Sequence, residues 1–267
     1  MTLHTTITGP LDAPAVLFLH GFMGAADDWG EVTSALSEDF RCITVDLPGH
    51  GASVGLPEER YAFDGTIAAL AEALGDLDVE RCRVVGYSLG ARLALALALR
   101  EPRRIARLVL ESGSPGLRTD AERAARRALD AERAEQIESD FEAFLGAWSR
   151  MPLFGLADRS DRRDEFVERR RRNIPAELAR SLRGSGTGQQ PSLWTALATL
   201  AIPTLAVAGG RDERYVDLAF EMAAAGPTVM PLVVPAGHAV HAEQPDVFAA
   251  LARSFLYDPI PDAHLVS

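Results

Sequence analysis

A serine hydroxyl is too weak a nucleophile or base at neutral pH unless an imidazole takes its proton and a carboxylate fixes the imidazole tautomer. Three residues meet that demand in one workable chain order: Ser88, then Asp212, then His238. Ser88 stands in Gly86-Tyr87-Ser88-Leu89-Gly90, after the β-branched pair Val84-Val85 and before the helix-forming run Leu93 to Ala98. Gly-x-Ser-x-Gly is weak by itself. With a strand before it and a helix after it, it reads as a nucleophile elbow, a tight turn that lifts the hydroxyl above the end of a sheet. Asp212 ends Gly209-Gly210-Arg211-Asp212, just past a predicted strand, and His238 ends Ala236-Gly237-His238, just past the last one. The competing role for Asp212 is to cap the helix that follows. His4 and His264 lie near the ends of the chain. His20 and His50 sit in glycine loops that they would shape, and His241 could line the pocket.

Such a set also needs two backbone N–H groups aimed at developing negative charge. The expected donors are Leu89, next after the serine, and Phe22, in the loop His20-Gly21-Phe22 that follows the first apolar strand.

The elements that must carry these residues alternate. Ala15–Leu19, 42–45, the elbow strand and 108–111 are apolar runs, separated by helical stretches at 29–36 and 61–74. Strands too apolar to face water on either side predict a mainly parallel, doubly wound α/β sheet covered by helices. From about residue 114 the pattern becomes helical and heavily charged, around 121–148 and 159–172, with the capping signal Thr119-x-x-Glu122 at its start. Gly184 to Pro191 is a turn-rich linker or hinge, after which strands at 204–208 and 229–234 and helices at 215–225 and 245–256 resume. Pro231 puts the last strand near a sheet edge. The expected organisation is a core of residues 1–114 and 192–257, a helical cap of 115–191 and a tail of 258–267. Ligands of open α/β sheets bind beyond the carboxyl ends of the strands, so the insertion should cover the site.

Together these stretches resemble the α/β-hydrolase family over about residues 15–256. His-Gly-Phe, Asp46-Leu47-Pro48-Gly49-His50-Gly51, Gly-Tyr-Ser-Leu-Gly, Gly-Arg-Asp and Gly-His occur in family order. Serine at the elbow sets the chain apart from the members with aspartate there, the haloalkane dehalogenases and epoxide hydrolases. A narrower resemblance rests on Gly86 to Arg92, Glu111 to Leu117, Arg171-Arg172-Asn173 and above all Gly186-Thr187-Gly188-Gln189-Gln190-Pro191-Ser192-Leu193-Trp194. These stretches are similar to the 2-succinyl-6-hydroxy-2,4-cyclohexadiene-1-carboxylate synthases of menaquinone biosynthesis. Ala239 departs from that pattern, where asparagine is common after the histidine.

That resemblance implies a lyase that eliminates pyruvate from a cyclohexene bearing succinyl, enolpyruvyl and carboxylate groups. Ser88, activated by His238, would remove the proton beside the succinyl ketone, and the Phe22 and Leu89 N–H groups would hold the enolate. It also implies substrate contacts from Arg92, Arg126 and Arg171 and from the pocket residues Tyr87 and Trp148. Each cap arginine has an alternative role in an exposed salt bridge. The runner-up activity is a carboxylesterase or other serine hydrolase using the same triad. A non-catalytic ligand receptor is the third possibility.

Composition agrees with a small anionic substrate. All 27 basic residues are arginine, set against 38 acids for a formal net charge of −11, which argues against nucleic acid and anionic membranes as partners. Residues 118–183 hold 15 arginines against 14 acids, so the insertion is the electropositive part of an acidic chain. Arginine binds carboxylates through paired hydrogen bonds. No cysteine or histidine spacing suits a metal, and no cofactor is expected. Cys42 and Cys82 begin strands with a third between them. That places them roughly 9–10 Å apart, beyond the roughly 7 Å reach of a disulfide. With no apolar stretch long enough to span a bilayer and no secretory leader, the expectation is a cytoplasmic monomer or small homo-oligomer.

Overall fold

The apolar runs form one seven-stranded sheet in the computed structural model, which describes residues 2–151 and 160–257. Its strands are β1 (Thr5–Thr8), β2 (Ala15–Leu19), β3 (Arg41–Val45), β4 (Cys82–Tyr87), β5 (Ile105–Glu111), β6 (Thr204–Gly209) and β7 (Val229–Val234). They lie in the order β1-β3-β2-β4-β5-β6-β7, all parallel except β1, which runs antiparallel to β3. β2 and β4 are buried along their whole length; β2 is apolar throughout, and the one charged residue of β4, Arg83, donates to the Leu256 carbonyl at 2.6 Å. β1 differs from both. Its Thr-Thr-Ile-Thr is half exposed at an edge and lacks the apolar run that marks a buried strand. β7, with Pro231, is the opposite edge. Cys42 and Cys82 are free and lie on β3 and β4, with β2 between them.

Helices α1 (Gly30–Leu36), α2 (Phe63–Asp76) and α3 (Leu89–Arg100) connect the first strands. Between β5 and β6 come α4 (Asp120–Ser139), α5 (Phe141–Ser149), α6 (Ser160–Arg171) and α7 (Pro175–Ser185). α8 (Glu213–Ala225), α9 (Val240–Glu243) and α10 (Pro245–Leu256) complete the chain. α2, α3 and α8 cover one sheet face, and α1 and α10 the other. α4 to α7 share a separate cluster built on Ile137, Leu145, Leu178 and Leu182, into which Met23 of the β2–α1 loop inserts.

The insertion differs from the expected pattern in two ways. The stretch 121–148 is two helices, because Asp140 leaves the helical conformation and its side chain accepts the Ala143 N–H at 3.0 Å. α7 lies beyond the two expected helical stretches and takes in Gly184 and Ser185 of the turn-rich segment. Pro175 opens it at a position where no helical N–H is needed, and Leu178, Ala179 and Leu182 face inward. Thr119 and Glu122 form the full capping box at the start of α4. The expected tail, 258–267, and Arg159 lie outside the described residues. Among those described, no helix is long and apolar enough to cross a membrane.

Candidate active site

The chain reverses its direction of travel across the sheet between β2 and β4. Loops leaving those two neighbouring strands therefore open a crevice at their carboxyl ends. Ser88 sits at that point. Its backbone is left-handed, φ 50°, which few non-glycine residues adopt outside functional turns. Its N–H is tied to the Glu111 carbonyl at 2.9 Å. The flanking glycines are required by contact. A Cβ at Gly90 would stand 2.1 Å from the Leu19 carbonyl oxygen, and one at Gly86 2.5 Å from the Gly90 carbonyl oxygen.

Two loops from the far side of the sheet meet the serine. His238 Nε2 lies 3.2 Å from Ser88 Oγ, and its Nδ1 lies 2.6 Å from Asp212 Oδ2. Asp212 and His238 are both buried, so the pair works at reduced dielectric. Asp212 does stand at the N-terminus of α8. Its carboxylate makes no capping bond, however, and is committed to the histidine. The Tyr215 and Tyr87 rings flank the imidazole, with centroids at 4.6 Å and 5.4 Å.

Leu89 opens α3, so its N–H has no helical partner. Phe22 lies on the same cavity wall, and its N–H has no acceptor among the described residues. His20 and His50 brace this wall from behind. His20 Nε2 accepts the Leu47 N–H at 3.0 Å, and His50 Nε2 accepts the Met23 N–H at 3.1 Å. Burial lowers both imidazole pKa values, that of His50 to about 3, so both stay neutral acceptors.

Above the serine is a cavity of about 300 Å³, lined by Phe22, Tyr87, Leu89, Trp148, Tyr215 and the triad residues together with Arg92, Arg126, Arg133 and Arg214. Arg92 is the most buried of the four, at 8% exposure. It projects from the first turn of α3 and, among the described residues, bonds only neutral oxygens, Gln190 Oε1 at 3.3 Å and the Ser185 carbonyl at 3.1 Å. Burial pushes its pKa down to about 10. Gln190 is itself wholly buried, and its amide donates to the Ser114 carbonyl. The Gly-Thr-Gly-Gln-Gln stretch is thus part of the Arg92 mount. Arg126 pairs with Asp130 at 2.7 Å. Trp148 stacks on Phe144 and meets Phe22 edge-on.

Two of the expected residues lie outside the cavity. Arg171 is not among the residues lining the cavity. It is exposed and committed to Glu142, at 2.8 Å, and to Glu168. Its position in α6 turns it to the outer surface. His241 does not line the cavity either. It is buried beneath Tyr87 and paired with Glu111. Arg133 and Arg214, by contrast, do line the cavity. Arg133 stands seven residues after Arg126 on one helix, which is the same face, and that spacing could have flagged it. Arg214 carries no local signal among so many arginines.

The chain belongs to the α/β-hydrolase-fold family, whose pattern matches residues 14–245. Its relatives carry a narrower name. A Bacillus subtilis protein provisionally called 2-succinyl-6-hydroxy-2,4-cyclohexadiene-1-carboxylate synthase is 38% identical over 93% of this chain and 92% of its own. The synthase of that name from Serratia proteamaculans is 34% identical over 94% of this chain and 96% of its own. Among solved structures, that of MenH from S. aureus superposes with a TM-score of 0.90 at 31% identity, covering 95% of this chain and 98% of that one.

Proposed function

We propose that this chain is a carbon–oxygen lyase that eliminates pyruvate from 2-succinyl-5-enolpyruvyl-6-hydroxy-3-cyclohexene-1-carboxylate, giving 2-succinyl-6-hydroxy-2,4-cyclohexadiene-1-carboxylate. The observation that carries this is Arg92. It is a buried cation above a serine triad, bonded only to neutral oxygens, in relatives' company that share the synthase name. A site for apolar esters has no use for such a charge, whereas a substrate with three carboxylates does.

In this mechanism Ser88 Oγ removes the proton from the ring carbon beside the succinyl ketone, while His238 Nε2 takes the serine's own proton. Asp212 holds the imidazole in the accepting tautomer and stabilises the imidazolium that forms. The freed electron pair moves onto the ketone oxygen, where the Phe22 and Leu89 N–H groups meet the enolate. Return of that pair through the ring double bond breaks the carbon–oxygen bond to the enolpyruvyl group. The departing pyruvate enolate takes the proton from His238, which restores the triad. Arg92 and Arg126 bind carboxylates, with Tyr87 and Trp148 as pocket walls. Residues 115–191 act as a cap over a core of 1–114 and 192–257. As an enzyme of this pathway the chain would work in the cytoplasm, as a monomer or small homo-oligomer.

Pyruvate release from that substrate, followed by coupled NADH oxidation with lactate dehydrogenase, tests the assignment. Wild-type protein should release pyruvate and Ser88→Ala should lose at least about a thousandfold in kcat. Folded wild-type protein that releases none would overturn it.

A further inference from the structure

His238 is carried on a loop, yet its ring must satisfy two partners at once. Two residues at the end of β5, neither of which lines the cavity, hold that loop. Ser112 is 1% exposed and left-handed, φ 48°. Its N–H is bonded to the Val207 carbonyl at 2.8 Å, which pins it to β6. From there its Oγ donates to the carbonyl of His238 at 2.7 Å. Glu111, the residue before it, is wholly buried. Its carboxylate accepts the backbone N–H of His241 at 3.0 Å and faces the His241 Nδ1 at 2.8 Å. The carbonyl of the same Glu111 accepts the Ser88 N–H at 2.9 Å. One dipeptide thus grips the serine's backbone, the histidine's carbonyl and the start of α9 three residues further on. A buried carboxylate and a left-handed serine are both costly features, and here both are directed at the same loop.

We infer that Ser112 and Glu111 are positioning residues that keep His238 in register with Ser88, Ser112 through the His238 carbonyl and Glu111 through His241. Their effect falls on proton transfer between Ser88 and His238 and leaves substrate affinity alone. This holds for any chemistry the triad performs, so it stands apart from the lyase assignment.

The direct readout is the second-order rate at which a fluorophosphonate labels Ser88, because that reaction needs the triad and no natural substrate. Ser112→Ala should label about tenfold more slowly, the scale expected of a small misplacement of a catalytic base. Ser112→Gly is the decisive companion. Glycine accepts φ 48° more readily than serine, so this variant should keep wild-type thermal stability and still label about tenfold more slowly. With substrate, both variants should lose kcat and retain KM. Glu111→Gln, which keeps the shape but removes the charge facing His241, should slow labelling severalfold. Wild-type labelling by folded Ser112→Gly would overturn the inference, as would a KM rise with unchanged kcat. If the wild type releases no pyruvate but labels rapidly, and the Ser112 variants label slowly, the lyase assignment falls and the positioning role stands.

Discussion

Replacing Arg92 with methionine should weaken the enzyme more than it destabilises the fold, and the two effects have separate physical origins. Methionine is long and apolar enough to fill much of the space among α3, Ser185 and Gln190. In the free protein the guanidinium is a liability. Burial lowers its pKa to about 10, well below the ordinary guanidinium value, a difference worth about 3 kcal/mol against the charged form. A base whose folded pKa is depressed carries its full penalty below that pKa, and the penalty is relieved only as pH rises past about 10. At neutral pH the whole cost is therefore present. Methionine removes it but leaves two buried oxygens, Gln190 Oε1 and the Ser185 carbonyl, without their donor. That costs roughly 1–3 kcal/mol for each oxygen, so the two effects largely offset and stability should change by no more than a rise of about 1 or a fall of about 3 kcal/mol. A substrate carboxylate in the cavity reverses the sign, because it supplies the countercharge. Losing one side of such a pair costs about 2–4 kcal/mol, which is roughly 30- to 900-fold in kcat/KM. Urea melts and pyruvate-release kinetics on the same preparation measure both quantities. A kcat/KM within threefold of wild type would remove Arg92 from substrate binding. A large loss of stability would show that its role is structural.

Asp212→Asn should preserve the fold and lower kcat by about 10³- to 10⁴-fold, since the amide favours the wrong imidazole tautomer; steady-state kinetics with a circular dichroism check decides it. Arg133→Ala should raise KM while Arg171→Ala leaves it unchanged, because the first lines the cavity and the second is an exposed partner of Glu142. Equal effects in the two variants would contradict that placement. His50 stays neutral in the fold down to about pH 3, against an ordinary 6.5. Its contribution to stability is thus complete above 6.5 and is lost as pH falls from there toward 3. Between pH 7 and 4.5 wild type should lose about 2–3 kcal/mol more stability than His50→Gln, as read from urea melts at both pH values.

Much of this protein is local in origin and therefore visible in the sequence. The elbow is specified by neighbours, since strand, glycine, serine, glycine and helix are contiguous between residues 82 and 100. Asp212 and His238 stand at strand ends because strand-to-loop boundaries are marked by glycine and proline. A parallel sheet then brings its carboxyl ends together without further instruction. Even the Thr119 cap and the edge position of Pro231 follow from neighbouring residue types. What needed the tertiary structure depends on packing between distant segments. β1 is a strand only because β3 offers it an edge. Arg133 faces the cavity and Arg171 faces outward because helix phase and packing angle are set by contacts among α4, α5, α6 and α7; spacing shows that Arg126 and Arg133 share a helix face but not which way that face points. Asp212 keeps a competing reading as a helix cap until His238 is placed 2.6 Å away. The Ser112 hold on His238 joins residues 126 positions apart. No periodicity or motif encodes such a bond, since it exists only once β5 and the loop after β7 lie side by side.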